Sequence, residues 1–124
     1  SPLGRGLLRQ AGDPPKLDGD DFRRTLPRFT EASFAANARL FDLLDEVAIA
    51  AKMTVPQVML CWLLAHGEDI IPIPGARKIA HLEQNAAAVG LSLAPDHLSR
   101  LSAAFGAGAV TGGHYSEGKA VERA

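Results

Sequence analysis

The chain has 124 residues, 47% of them hydrophobic and 22% charged, with a formal net charge of −1. That is enough for one ordinary domain able to bury roughly 65% of its unfolded surface, with no field favouring nucleic acid or an anionic membrane. The longest apolar run, VMLCWLLA, is too short to span a bilayer, and the single cysteine, Cys61, excludes an internal disulfide and fits a reducing, cytoplasmic compartment.

The first 29 residues carry Pro and Gly every few positions and read as a long loop with one short helix near Leu7. Within it, GDDFRR mixes charge signs and reads as a solvated face. No signal peptide is visible, and the start on Ser1 in SPLGRG looks cut. Residues 30–67 read as two helices. In the first, Leu40, Leu43, Leu44, Val47 and Ala51 share one stripe, and Thr30 and Ser33 are the cap candidates. In the second, Thr54 suits the N-cap, Pro56 the first turn and Gly67 the stop. It is apolar almost all round from Val58 to Ala65, so it must be packed on most sides.

Residues 68–90 bring the one convincing strand, DIIPIPG, followed by a helix from about Arg77 to Val89. Ile70, Ile71 and Ile73 are the continuous β-branched run of a strand buried on both faces, while Pro72 and Pro74 end it quickly. Ile79, Leu82, Ala86 and Val89 form the apolar stripe of the helix. Residues 91–105 hold a last helix with Pro95 in its first turn and Leu98, Leu101 and Phe105 inward. The Gly-rich tail, 106–124, reads as a loop or frayed end. One buried-type strand cannot make a sheet, so the order suggests one piece of a βα-repeat protein.

PGARK places a Gly-bearing turn and two cations at a helix mouth, where unpaired N–H groups already give partial positive charge. An anion there, gripped by Arg77, would offset the unfavourable placement; solvated Arg77 and Lys78 with a plain turn is the other reading, and spacing alone leaves both open. SPLGRG is a second Gly-and-Arg segment, without the strand-to-helix context of a dinucleotide fingerprint. GAGAVTGG at 106–113 follows a helix and reads as a decoy.

Together, SPLGRG, FRRTLPRF and the run from TVPQVMLCWLLAHG through IIPIPGARKIAHLEQN to LSLAPDHLSRL resemble the C-terminal part of an aldo-keto reductase, from Ser1 to about Phe105. The resemblance implies an α/β fold, the C-terminal portion of a (β/α)8 TIM barrel with DIIPIPG as its eighth strand, and a small-molecule carbonyl substrate reduced with NADPH in the intact protein. It places Ser1, Leu3, Arg5 and Gly6 over the cofactor pyrophosphate. Ile73, Gly75 and Arg77 match the turn holding the adenosine phosphate, and His81 falls near the 2′-phosphate. Gln84 and Asn85 match a Glu-Asn pair at the adenine; Gln84 departs from that pattern, although its amide can still accept a hydrogen bond.

The family's catalytic Asp, Tyr, Lys and His have no match. Tyr115 and the histidines His66, His81, His97 and His114 fall elsewhere, so no catalytic residue and no metal ligand is assigned. His66 reads as a cation at a helix end, and Cys61 and Trp62 as packing residues. The expected role is a cofactor-binding segment, inactive alone and completed by an N-terminal barrel half. The alternatives are a helical binding or assembly fragment, or a decayed reductase that keeps nucleotide binding without catalysis.

Overall fold

The computed structural model describes residues 1–9, 15–113 and 115. Four α-helices carry the architecture: α1 (Glu31–Ala51), α2 (Val55–Leu64), α3 (Ile79–Ala87) and α4 (Pro95–Ala104). Short 3-10 turns at Gly4–Arg9, Phe22–Thr25, Pro27–Phe29 and Ala88–Gly90 fill the connections.

α1 begins where Thr30 accepts a hydrogen bond from the Ser33 amide at 3.2 Å. Thr30 is therefore the cap, and Ser33 is a buried residue of the first turn. The α1 stripe buries Leu40, Leu44 and Val47. α1 ends at Lys52, whose left-handed backbone returns its N–H to the carbonyls of Ala48 and Ile49. α2 opens with a reciprocal cap: Thr54 accepts from the Gln57 amide at 3.4 Å, and Gln57 Oε1 accepts from the Thr54 amide at 3.0 Å.

α2 is the central element, packed against α1, α3, the turn at Gly4–Arg9 and the turn at Ala88–Gly90. Its buried Val58, Met59, Leu60 and Cys61 join Leu44, Val47, Ala88, Leu93 and Leu101 in the main core. Each fully buried aliphatic side chain contributes about 1.5–3 kcal/mol relative to exposure. A second, smaller core of Leu7, Phe34 and Phe41 lies under the first loop, with the two phenylalanine rings 4.6 Å apart.

Several expectations change. The strand expected at DIIPIPG does not form: residues 70–75 make no strand ladder, and among the described residues there is no strand at all. A ladder needs a neighbour, and no other described segment pairs with this one. Ile71 and Ile73 are 83% and 82% exposed, while Ile70, Pro72 and Pro74 between them are half-buried. α3 starts at Ile79, so Arg77 lies in the bend before it. The stripe of Ile79, Leu82, Ala86 and Val89 faces solvent, and the side chains that α3 and its continuation bury are Asn85 and Ala88. GDDFRR is an ordered cap and ion pair, described below. The tail is tied down at Thr111 and Gly112; the rest of the segment expected as a loop or frayed end falls outside the described residues, apart from Gly113 and exposed Tyr115.

No single helix among the described residues is long and apolar enough to cross a membrane. No group of three or more His, Cys, Asp or Glu among them is placed to hold a metal.

Candidate functional site

The first motif, Ser1–Gly6, is a tight left-handed curl. Gly4, Arg5 and Gly6 have φ of +56°, +59° and +88°. The Gly4 amide donates to Ser1 O and the Gly6 amide to Leu3 O, both at 3.0 Å. Leu3 packs against the main core and Ser1 is exposed. A left-handed arginine costs roughly 1–2 kcal/mol, which the surroundings must supply. Part of that support is visible: Arg23 Nη1 donates to the Arg5 carbonyl at 3.1 Å, and the Arg5 guanidinium lies over the rings of Phe22 and Tyr115, at 5.8 and 4.8 Å.

Arg23 is aimed by Asp21. Asp21 caps the turn Phe22–Thr25 through the Arg23 amide at 3.0 Å. Its carboxylate also receives Arg23 Nε at 3.0 Å and Nη2 at 2.6 Å, a forked pairing. The side-chain bond to Arg23 is the main reason the Asp21 pKa falls to about 2, and the charge of Arg77 lowers it further. The charge of Arg77 is the smallest of these influences on Asp21. Arg28 adds a further guanidinium nearby, its pKa pushed down first by burial and then by the charge of Arg5.

The second motif is open. Gly75 is exposed, and a Cβ built there would meet nothing within 4 Å. Its φ lies outside the left-handed region, so the turn does not itself demand glycine; the bare backbone leaves room for close approach instead. Lys78 holds the N-cap position of α3 without a capping side-chain bond. Arg77 and Lys78 are exposed beside that uncapped helix end. Partial positive charge, bare amides and cations together suit a phosphate group.

The other predicted residues spread over α3. His81 is half-buried in the first turn, Gln84 is exposed and Asn85 is 8% exposed. Gln84 and Asn85 therefore sit on different faces of the helix. The Gln84 carbonyl accepts from Gln57 Nε2 at 3.2 Å, which docks α3 on the cap of α2. Ile73 is 82% exposed.

Asp21, Arg23 and Arg28 were missed from sequence. The available signal was an Asp one residue before a short turn with Arg two positions on, an Asx-type cap. Of the packing residues, Cys61 is buried with its Sγ 3.5 Å from the Ala88 carbonyl, Trp62 Nε1 donates to Ser102 Oγ at 3.0 Å, and His66 Nδ1 meets the Trp62 carbonyl at 2.7 Å near the end of α2.

Comparison with known proteins agrees with this picture. The model of the aldo/keto reductase family matches residues 1–105. The chain is 36% identical over 119 residues to the NADP(+) aldo-keto reductase yakc of Schizosaccharomyces pombe, covering 95% of this chain and 35% of that protein. It is 33% identical over 118 residues to a probable aldo-keto reductase 1 of Glycine max, covering 95% and 34%. It is 38% identical over 100 residues to the aldo-keto reductase str7 of Strobilurus tenacellus, covering 80% and 30%. The chain thus spans about a third of the length of these curated relatives, and no solved structure matches it. With more than four-fifths of its residues inside the family match, the chain belongs to the aldo/keto reductase family.

Proposed function

We propose that this chain is the cofactor-gripping C-terminal segment of an NADPH-dependent oxidoreductase that reduces aldehydes and ketones, with DIIPIPG forming the eighth strand of a (β/α)8 barrel once its neighbours are present. The observation that carries the reading is the uncapped start of α3, with exposed Arg77 and Lys78 beside it and open backbone at Gly75. The name of the yeast relative supports NADP as the cofactor.

The residues present fit a phosphorylated nucleotide. The uncapped start of α3 offers backbone amides, Gly75 leaves its approach clear, and Arg77 can pair a phosphate in two-pronged fashion. These groups would hold the adenosine 2′-phosphate, with His81 beside them. Gln84, on the exposed face of α3, would face the adenine side, whereas Asn85 is buried on another face; the curl Ser1–Gly6, including Leu3 and Arg5, would lie along the pyrophosphate. When bound, the cofactor supplies a hydride for carbonyl reduction. This chain's part is to bind and orient it. The proton donor for the carbonyl oxygen is assigned to residues outside this chain, so the chain alone has no turnover.

Amide chemical-shift mapping with adenosine 2′,5′-bisphosphate tests the reading. The expected shifts fall on Gly75–His81. Saturable shifts confined to other surfaces, or none at millimolar ligand, would overturn it.

A second reading, an assembly fragment, has its own observation: Ile71, Ile73, Ile79 and Val89 are each more than three-quarters exposed, with Leu82 at 59%. Exposed apolar side chains in such number favour association where they adjoin. Sedimentation velocity separates the cases. A chain that self-associates, and that Ile79→Asp turns into a monomer, supports this reading; a wild-type monomer removes it.

A further inference from the structure

The tail reaches the first motif from beyond the family match, which covers residues 1–105. Its root is fixed on α1. Asn37, 1% exposed, donates through Nδ2 to the Thr111 carbonyl at 2.9 Å and accepts at Oδ1 from the Thr111 amide at 2.8 Å. Arg28 Nε donates to the next carbonyl, Gly112, at 3.0 Å. Gly112 has φ of +91°, and a Cβ there would fall 2.7 Å from Arg28 Cα, so the chain lies close against its neighbour at this point. Tyr115 is three residues further on, a reach of at most about 11 Å. The anchored root therefore keeps the Tyr115 ring near the first motif, where its centroid lies 4.8 Å from the Arg5 guanidinium carbon.

Arg5 is held from three directions. Arg23 fixes its backbone through the carbonyl, at 3.1 Å. Phe22, in the turn capped by Asp21, and Tyr115 each lie within cation–π range of its guanidinium. Both rings are at the surface, Phe22 at 61% exposure and Tyr115 at 47%, so the cluster is open to a ligand from solvent. A guanidinium stacks on an aromatic ring through its flat face and pairs with phosphate through its N–H edge, so the first contact orients the group for the second. The Arg5 backbone is left-handed between two left-handed glycines, and strain of this kind collects at ligand sites.

We propose that Tyr115 is a positioning residue for the pyrophosphate of the dinucleotide: anchored through Thr111 and Gly112, the tail lays its ring against the Arg5 guanidinium and holds that group at the curl. The inference rests on the cofactor reading of Ser1–Gly6 and adds to it a residue from outside the family match. Docking of the tail and binding of a pyrophosphate then favour each other, because both use the same placement of Arg5.

The test is calorimetric titration of the full chain with NADPH and with adenosine 2′,5′-bisphosphate, which has no pyrophosphate. The wild type is compared with Tyr115→Phe, Tyr115→Ala, Arg5→Ala and the double alanine variant. Tyr115→Ala should weaken NADPH binding by about two- to fivefold, the worth of one exposed cation–π contact. Its affinity for the bisphosphate should stay at the wild-type value, and Tyr115→Phe, which keeps the ring, should bind NADPH as the wild type does. In the Arg5→Ala background, Tyr115→Ala should cost nothing more, which a merely structural role would not produce. NADPH affinity untouched by Tyr115→Ala, an equal loss with the bisphosphate, a loss in Tyr115→Phe as large as in Tyr115→Ala, or an undiminished loss on top of Arg5→Ala would each overturn the proposal and leave the cofactor reading in place. A wild-type chain that binds neither ligand at millimolar concentration would overturn both.

Discussion

Asp21 and Arg23 do at the residue scale what a longer segment of secondary structure would do elsewhere. One carboxylate caps a turn and aims a guanidinium, and the guanidinium holds the carbonyl of a left-handed arginine. The folded pKa of Asp21 is depressed to about 2 from an ordinary 3.8. A depressed acid contributes its stabilisation above the ordinary value and loses it as pH falls through the folded one. The tether should therefore persist through pH 4 and release towards pH 2. Carboxyl carbon shifts of Asp21 followed by NMR should show no titration step near pH 4; a midpoint there would mean that the pair does not form in solution. Asp21→Asn should weaken the hold on Arg5 at neutral pH. Cys61 is the opposite case: burial pushes its thiol up, so it should react with a thiol reagent at pH 8 far more slowly than a free cysteine, and fast labelling of the native chain would contradict its place in the core.

These residue-level features divide clearly by how visible they were in sequence. Asn37 shares a helical face with Ser33, Leu40, Leu44 and Val47, and a polar residue on such a stripe must find partners. Its partners, at Thr111, lie too far along the chain for any local pattern to indicate. Asp21–Arg23 was hidden for another reason, since alternating charges look alike whether solvated or paired.

At the scale of elements, α1, α2 and α4 were legible because their signals are local. A 3.6-residue apolar period, a threonine cap and a first-turn proline are all contained within the segment they define. The reciprocal Thr54–Gln57 cap is the clearest case. Thr54→Ala should destabilise the fold by about 1 kcal/mol, read from urea unfolding; no change in midpoint would show that the cap is idle. The strand expected at DIIPIPG and the buried stripe expected on α3 depend instead on what lies against them. Their composition is that of buried elements, and the described residues leave them open. Among the described residues neither expectation is met: residues 70–75 form no strand and the α3 stripe is exposed.

The whole molecule is organised around α2, with one core joining α1, α2, α4 and the turn after α3. Leu44, 1% exposed, is central to it. Leu44→Ala should cost about 2–5 kcal/mol, measured by denaturant unfolding, and a loss well under 1 kcal/mol would mean that this core is not cooperatively packed. Membership of the aldo/keto reductase family was legible from motif order. The hold of Arg23 on the Arg5 carbonyl was not, because it joins residues 18 positions apart.

The proposed handle for the adenosine 2′-phosphate is tested most directly by calorimetric titration of the chain with NADPH and with NADH, repeated on Arg77→Ala. NADPH should bind at least about tenfold more tightly than NADH, the worth of one charge-assisted phosphate contact of about 1.5 kcal/mol, and Arg77→Ala should remove most of that difference. Equal affinity for the two cofactors, or a preference for NADPH that survives Arg77→Ala unchanged, would contradict it.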